Sequence, residues 1–131
     1  MRKVLAFLCI AMFLLFSSCG HPTQLTSMSI SPSGVTFSNA VPGMTHQLTA
    51  YGVFIHPKET RDITTDVTWT SSAPDIATVD QNGLVTTVIH ACGQTVITAT
   101  ADSHLVGAGG SGSIMTATAM IDVQVTGWDC P

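Results

Sequence analysis

The stretch VTWTSSAPDIATVDQNGLVTT (residues 67–87) decides the fold. A lone Trp stands among small hydroxyl residues, and beyond it apolar and polar residues alternate up to an Asn-Gly pair. In an extended chain, side chains two positions apart share a face. Val67 and Trp69 therefore point one way, and Thr68 and Thr70 face water. One large indole fills the space between two sheets, and its burial is a major stabilising contribution. The short element IATV places Ala77 and Val79 on one face, where a small residue beside a branched one leaves room for the ring. Asn82 and Gly83 tolerate positive φ and predict a tight turn. With Leu48 from an earlier segment, Trp69, Val67, Ala77 and Val79 make up the expected core.

The same two-residue period continues in both directions. Upstream, LTSMSISP sets Leu25, Ser27 and Ser29 against Thr26, Met28 and Ile30, and stops at Pro32-Ser33-Gly34. VTF is a short strand, and VPGMTHQLTAYGVF opens on a Pro42-Gly43 turn and runs as one strand through Leu48 and Ala50. HPKETRDITTD is polar and is expected to be a loop. Downstream, LVTTVI, TVITATA and IMTATAMIDVQVT read as strands, separated by HACGQ and by DSHLVGAGGSGS. No ten-residue segment shows an apolar period of a helical kind. Short strands at this spacing, in a chain of 131 residues, predict one all-β domain: an immunoglobulin-like sandwich of seven to eight antiparallel strands.

The N-terminus is of another character. MRK is basic, and VLAFLCIAMFLLF (residues 4–16) is an apolar run of 13 residues. That is short of the roughly 20 a bilayer span requires and suits the h-region of a secretory signal. SSCG follows, and the junction resembles the lipobox of bacterial lipoproteins, in which the signal is cut before a Cys that is then acylated. Phe16 stands where that motif usually has Leu. The resemblance implies a signal over residues 1–18, a lipid on Cys19, a short tether over 19–23 and a domain over 24–131. An ordinary signal peptide and an uncleaved anchor are the alternatives. Gly20 is not the Asp associated with inner-membrane retention, which favours the outer membrane in a cell that has two. Processing would leave Lys58 and Arg61 against eight acidic residues, a net charge of −6. Such a chain is poorly suited to nucleic acid or to recruitment by anionic head groups.

SISPSG, GMTHQLTA, DVTWTSSAPDIATVDQNGLVTT, GQTVITATA and IDVQV, in that order, resemble bacterial Ig-like domain group 2, over residues 25–125. The long YGVFIHPKETRD connection and the glycine-rich DSHLVGAGGSGS loop depart from the pattern. The resemblance implies an Ig-like sandwich on a bacterial surface protein, often an adhesin or spacer, and brings no catalytic residues. In such a fold TVITATA and the last strand form a hairpin, with Cys92 just before it and Cys130 just after. Export exposes thiols to oxidising surroundings. A Cys92–Cys130 disulfide is therefore expected, contributing about 4 kcal/mol by the chain-entropy model; two unpaired thiols are the alternative.

Other motifs carry less. GAGGSG (residues 107–112) has the spacing of a pyrophosphate-binding turn, but that chemistry needs a following helix and a strand is expected here. His21, His46, His56, His90 and His104 are dispersed. His90 and Cys92 with Cys130 would still lack a fourth zinc ligand, so solvent-exposed histidines are the expectation. Asp66, Asp75, Asp80, Asp102 and Asp122 flank turns, where a weak Ca²⁺ site is conceivable. No nucleophile elbow or close carboxylate pair is present in the sequence. No catalytic group, metal or cofactor is expected. Tyr51, Phe54 and Ile55 could form an exposed apolar patch with Trp128, although such residues more often close the end of a sandwich. The main expectation is a non-catalytic, lipid-anchored extracytoplasmic module that binds an envelope protein or acts as a spacer. Binding of a surface polysaccharide through Tyr51, Trp128 and the Phe residues is the alternative.

Overall fold

A computed structural model describes residues 22–38, 40–41, 43–88, 92–103 and 112–123, without the side chains at 121 and 123. Ten strands and no helix make up these residues: β1 (Gln24–Ser31), β2 (Gly34–Phe37), β3 (Thr45–Gln47), β4 (Thr49–Ile55), β5 (Glu59–Asp62), β6 (Thr68–Ser71), β7 (Ala77–Val79), β8 (Leu84–Thr87), β9 (Gly93–Asp102) and β10 (Ile114–Val123). They form a four-stranded sheet in the order β2-β10-β9-β6 and two three-stranded sheets, β1-β4-β5 and β3-β8-β7. All pairings are antiparallel except that of β2 with β10. The arrangement is an Ig-like β-sandwich.

The four-stranded sheet follows the two-residue period closely. Along β9, Thr95, Ile97, Ala99 and Ala101 are buried, and the intervening residues are less so. The β9–β10 ladder holds one register from Ile114↔Asp102 to Val123↔Gly93. Trp69 pairs with Ala99, which pairs with Ala117. The indole thus has small residues beside it in its own sheet. Trp69, Val67, Ala77 and Leu48 are buried, and Thr68 and Thr70 are exposed. Val79 is half-buried against the same core.

The other layer departs from simple alternation at three places. A bulge between Leu25 and Ser27 resets the phase of β1. Leu25 then shares the core side with Ile30 and Met28, whereas unbroken alternation put it with Ser27 and Ser29. The Thr26 hydroxyl bonds the Val53 carbonyl at 3.0 Å at that point. Next, the strand expected to run through Leu48 is two strands. Gln47 pairs across to Leu84 in one sheet and Thr49 to Ser31 in another. Leu48 between them is buried and donates its N–H to the Gly83 carbonyl, 2.9 Å away. Finally, HPKETRD is not all loop, because Glu59–Asp62 is the edge strand β5, paired with β4. Its polarity hid it. An edge strand has a partner on one side only, and inward-pointing charge there discourages further pairing. Arg61, in register with Gly52, lies over the Phe54 ring with 3.9 Å from guanidinium carbon to centroid. A Cβ on Gly52 would sit 2.8 Å from that ring and 2.9 Å from Leu25 Cδ1. The split at Leu48 and the extra edge strand raise the count to ten.

Candidate functional site

The turn between β7 and β8 shows how local chemistry holds the molecule's surface. Asp80 accepts the Gly83 N–H through its carbonyl (3.1 Å) and donates its own N–H to the Leu84 carbonyl (3.1 Å). Its carboxylate accepts the N–H groups of Asn82 (2.8 Å) and Leu84 (2.9 Å). Gly83 has φ 77°, and Asn82 is not in the left-handed region. The hairpin is therefore a turn closed by a left-handed glycine, not a two-residue turn in which both Asn82 and Gly83 take positive φ. Hydrogen bonds, from the Leu84 N–H first, hold the Asp80 carboxyl below its ordinary value. Asp62 behaves alike for a similar reason. The Thr64 hydroxyl donates to it at 2.6 Å and the Thr64 N–H at 2.9 Å, and its pKa is lowered.

These caps support the Trp. Thr64 accepts the Ala50 N–H on its hydroxyl (3.0 Å) and the Trp69 indole N–H on its carbonyl (2.9 Å). Gln81 donates to the Val67 carbonyl at 2.7 Å, and Gln47 donates to the carbonyls of Leu48 and Asn82. A Cβ on Gly83 would meet the Leu48 carbonyl oxygen at 2.6 Å and Trp69 Cζ2 at 3.0 Å. A second hydroxyl cluster sits at the corner after β6. Buried Thr95 accepts the Ala73 N–H (3.0 Å) and lies 3.0 Å from Ser71 Oγ and 3.2 Å from Ser72 Oγ. Ser71 donates to the Ala77 carbonyl at 2.7 Å, tying β6 to β7. The adjacent serines, which the sequence offered only as part of a pattern, have this structural work.

Among the described residues, the histidines and acids proposed from sequence form no cluster. Cys19, Cys130, Trp128, His21, His90 and His104 lie outside the described residues, as does most of GAGGSG. Cys92 is half-buried just before β9 and is not a free thiol. His46 is exposed and stands edge-on to Phe37, with centroids 6.4 Å apart. His56 adopts φ 62° in the turn leaving β4. Asp66, Asp75, Asp80, Asp102 and Asp122 do not converge, and the described residues contain no group of three or more His, Cys, Asp or Glu able to hold a metal ion.

Of the two readings for the residues around Tyr51, burial holds for Phe54. Of the described members, Phe54 is fully buried under Arg61, Ile55 is half-buried, and Tyr51 is exposed, at 37%. Phe54 pairs with Leu25 on the inner face, whereas Tyr51 pairs with Ser29 and Asp62 on the outer. Phe37 is buried as well. Neither Phe can stack on a sugar ring.

Two outer faces remain. One carries the rows Ser29-Tyr51-Asp62 and Ser27-Val53-Thr60. The other, on the four-stranded sheet, carries Thr68-Thr100-Thr116 and Thr70-Thr98-Thr118. Cross-strand threonine pairs stabilise a sheet by themselves. Missed by the sequence reading was the contact at the N-terminal pole, where the Thr23 hydroxyl donates to the His56 carbonyl at 3.1 Å. It joins positions far apart in the chain, and no local motif signals it.

A sandwich of this kind defines an Ig-like β-domain. The chain matches the family described as bacterial Ig-like domain (group 2) over residues 24–108, and it belongs to that family. Such domains are in general non-enzymatic and occur in bacterial surface or extracellular proteins. Comparison with curated proteins returned no match.

Proposed function

We propose that this protein is a lipid-anchored, extracytoplasmic Ig-like module of the bacterial envelope that holds a partner close to the membrane and has no catalytic role. The observation that carries this reading is the union of a group 2 Ig-like domain from residue 24 with an apolar run ending in SSCG directly before it. Cleavage before Cys19 and acylation there leave a tether over residues 19–23, which extends to at most ~18 Å. A domain so placed is suited to a protein or polysaccharide of the same envelope, with the outer membrane as its place in a diderm cell. Several acyl chains hold a protein durably where one does so only marginally. Globomycin treatment, which blocks lipoprotein signal cleavage, should accumulate the unprocessed chain. Mass spectrometry of the membrane-bound protein should find a chain that begins at an acylated Cys19, and an unmodified Cys19 would overturn the reading.

We further propose the Cys92–Cys130 bridge. The β9–β10 register supports it, since Gly93 after Cys92 pairs with Val123, seven residues before Cys130. Alkylation of folded, unreduced protein should leave both cysteines unmodified. The polysaccharide reading is the weaker of the two, because Trp69, Phe37 and Phe54 are buried. Immobilised envelope polysaccharides should retain the domain only if Tyr51 or Trp128 contributes, and Tyr51→Ala tests the described one.

A further inference from the structure

The end of the domain from which the chain emerges has a composition of its own. Gln24 pairs with Ile55, and the Thr23 hydroxyl holds the His56 carbonyl. The emerging segment is thereby fixed beside the turn 56–58 that joins β4 to β5. That hairpin carries Lys58, exposed, and Arg61, the two cations that the processed chain retains. The start of β10 belongs to the same end. β1 does not pair back on β2 but packs along β10, and β2 runs parallel to β10. β1 and β10 therefore start at one pole. Ile114 there is 73% exposed, more than Val41, Tyr51 or Met120, the other large apolar side chains that are exposed among the described residues. The opposite pole has acids and, among the described residues, no cation. Asp122 pairs with Gln94, and Asp75 lies in the turn whose Ala73 N–H bonds Thr95.

We infer that the pole formed by Thr23, the 56–58 turn and Ile114 is the surface that the domain rests on the phospholipid bilayer, with Lys58 toward anionic head groups and Ile114 at the interface. This rests on the lipid-anchor reading above. Only three residue steps separate Cys19 from Pro22, a reach of at most ~11 Å. An anchor that short brings this pole to the head-group layer and keeps the other away. Charge then sets orientation, not recruitment. A net charge of −6 gives the free domain no attraction to an anionic surface, but a tethered domain with its cations at one end turns that end inward. Glu59 and Asp102 lie at this end too. Glu59 is matched by Arg61, with which it forms an ion pair at 3.2 Å. An apolar side chain and a nearby basic one suit the boundary between head groups and acyl chains.

The test uses the lipidated protein in vesicles of phosphatidylethanolamine and phosphatidylglycerol carrying nitroxide head-group lipids. A fluorescent amino acid is placed by codon suppression at exposed Ser113 or at exposed Gln94, near opposite ends of the β9–β10 hairpin and roughly 30 Å apart. Quenching should be several-fold stronger at Ser113 than at Gln94, and Lys58→Glu or added salt should shrink that ratio. Mass spectrometry of the same sample reads acylation of Cys19. An unmodified Cys19 would end the anchor reading and this one with it. A lipidated chain quenched equally at both sites would overturn the orientation alone. A ratio unchanged by Lys58→Glu would overturn the role of that side chain.

Discussion

The β9–β10 hairpin and the broken layer facing it are held by different means. The hairpin keeps one register over ten residues of each strand, and apart from the Thr95 cluster its buried row of Ile97, Ala99 and Ala101 has no side-chain polar group to pair. The opposite layer changes sheet at Leu48, bulges at Thr26 and ends in a polar edge strand. There, side chains of Thr64, Asp62, Gln47, Gln81 and Asp80 cap backbone groups that no ladder satisfies. The lesson is that the first region tolerates change at its exposed positions, whereas the second depends on individual residues. Trp69 belongs to both, since it pairs in the sheet with Ala99 and donates to Thr64 in the broken layer.

That contrast predicts a ladder of effects on chemical denaturation of the processed chain. Trp69→Ala, which empties the space between layers, should cost about 3–5 kcal/mol. Gly83→Ala should cost about 2–3 kcal/mol, because the residue has φ 77° and its new Cβ would press on the Leu48 carbonyl. A loss under half a kcal/mol there would show that the broken layer yields more easily than its contacts indicate. Thr95→Val keeps the shape and removes the acceptor of the Ala73 N–H, for about 1–3 kcal/mol. Thr118→Ala, on the regular sheet's exposed face, should stay within ~0.5 kcal/mol. An equal loss at Thr118 and Gly83 would erase the distinction between the regions.

Acid sharpens it differently. The Asp62 and Asp80 carboxyls are held below the ordinary value of 3.8 in the folded chain. A group with a depressed folded pKa contributes stability that is present above its unfolded value and is lost as pH falls through the folded one. Stability should therefore decline below about pH 4, and Asp62→Asn should flatten that decline in a urea midpoint series against pH. Both groups are solvent-exposed, so the effect is the smallest of the set.

Much of the fold could be read from residues 67–87 alone. Trp69, Val67 and Ala77 bury as a two-residue period requires, and Thr68 and Thr70 do not. β5 escaped because hydrophobic alternation marks a strand by what it buries, and an edge strand can bury little. The phase of β1 escaped because a bulge leaves no mark in composition. Whether Tyr51 and Phe54 share a surface was left open, although their separation of three positions already set them on opposite faces of a strand.

By itself, the sequence determined that the chain is a β-sandwich, because strand period and turn chemistry act over a few residues and are written locally; the likeness to group 2 Ig-like domains rests on the run of motifs through Trp69 and Gly83. Only the tertiary structure decided that Gly83 must be small, that Thr64 receives the indole N–H, and that Thr23 meets the 56–58 turn. The Gly83–Leu48 and Thr23–His56 contacts join positions distant along the chain, and the energies of all three depend on how the layers meet.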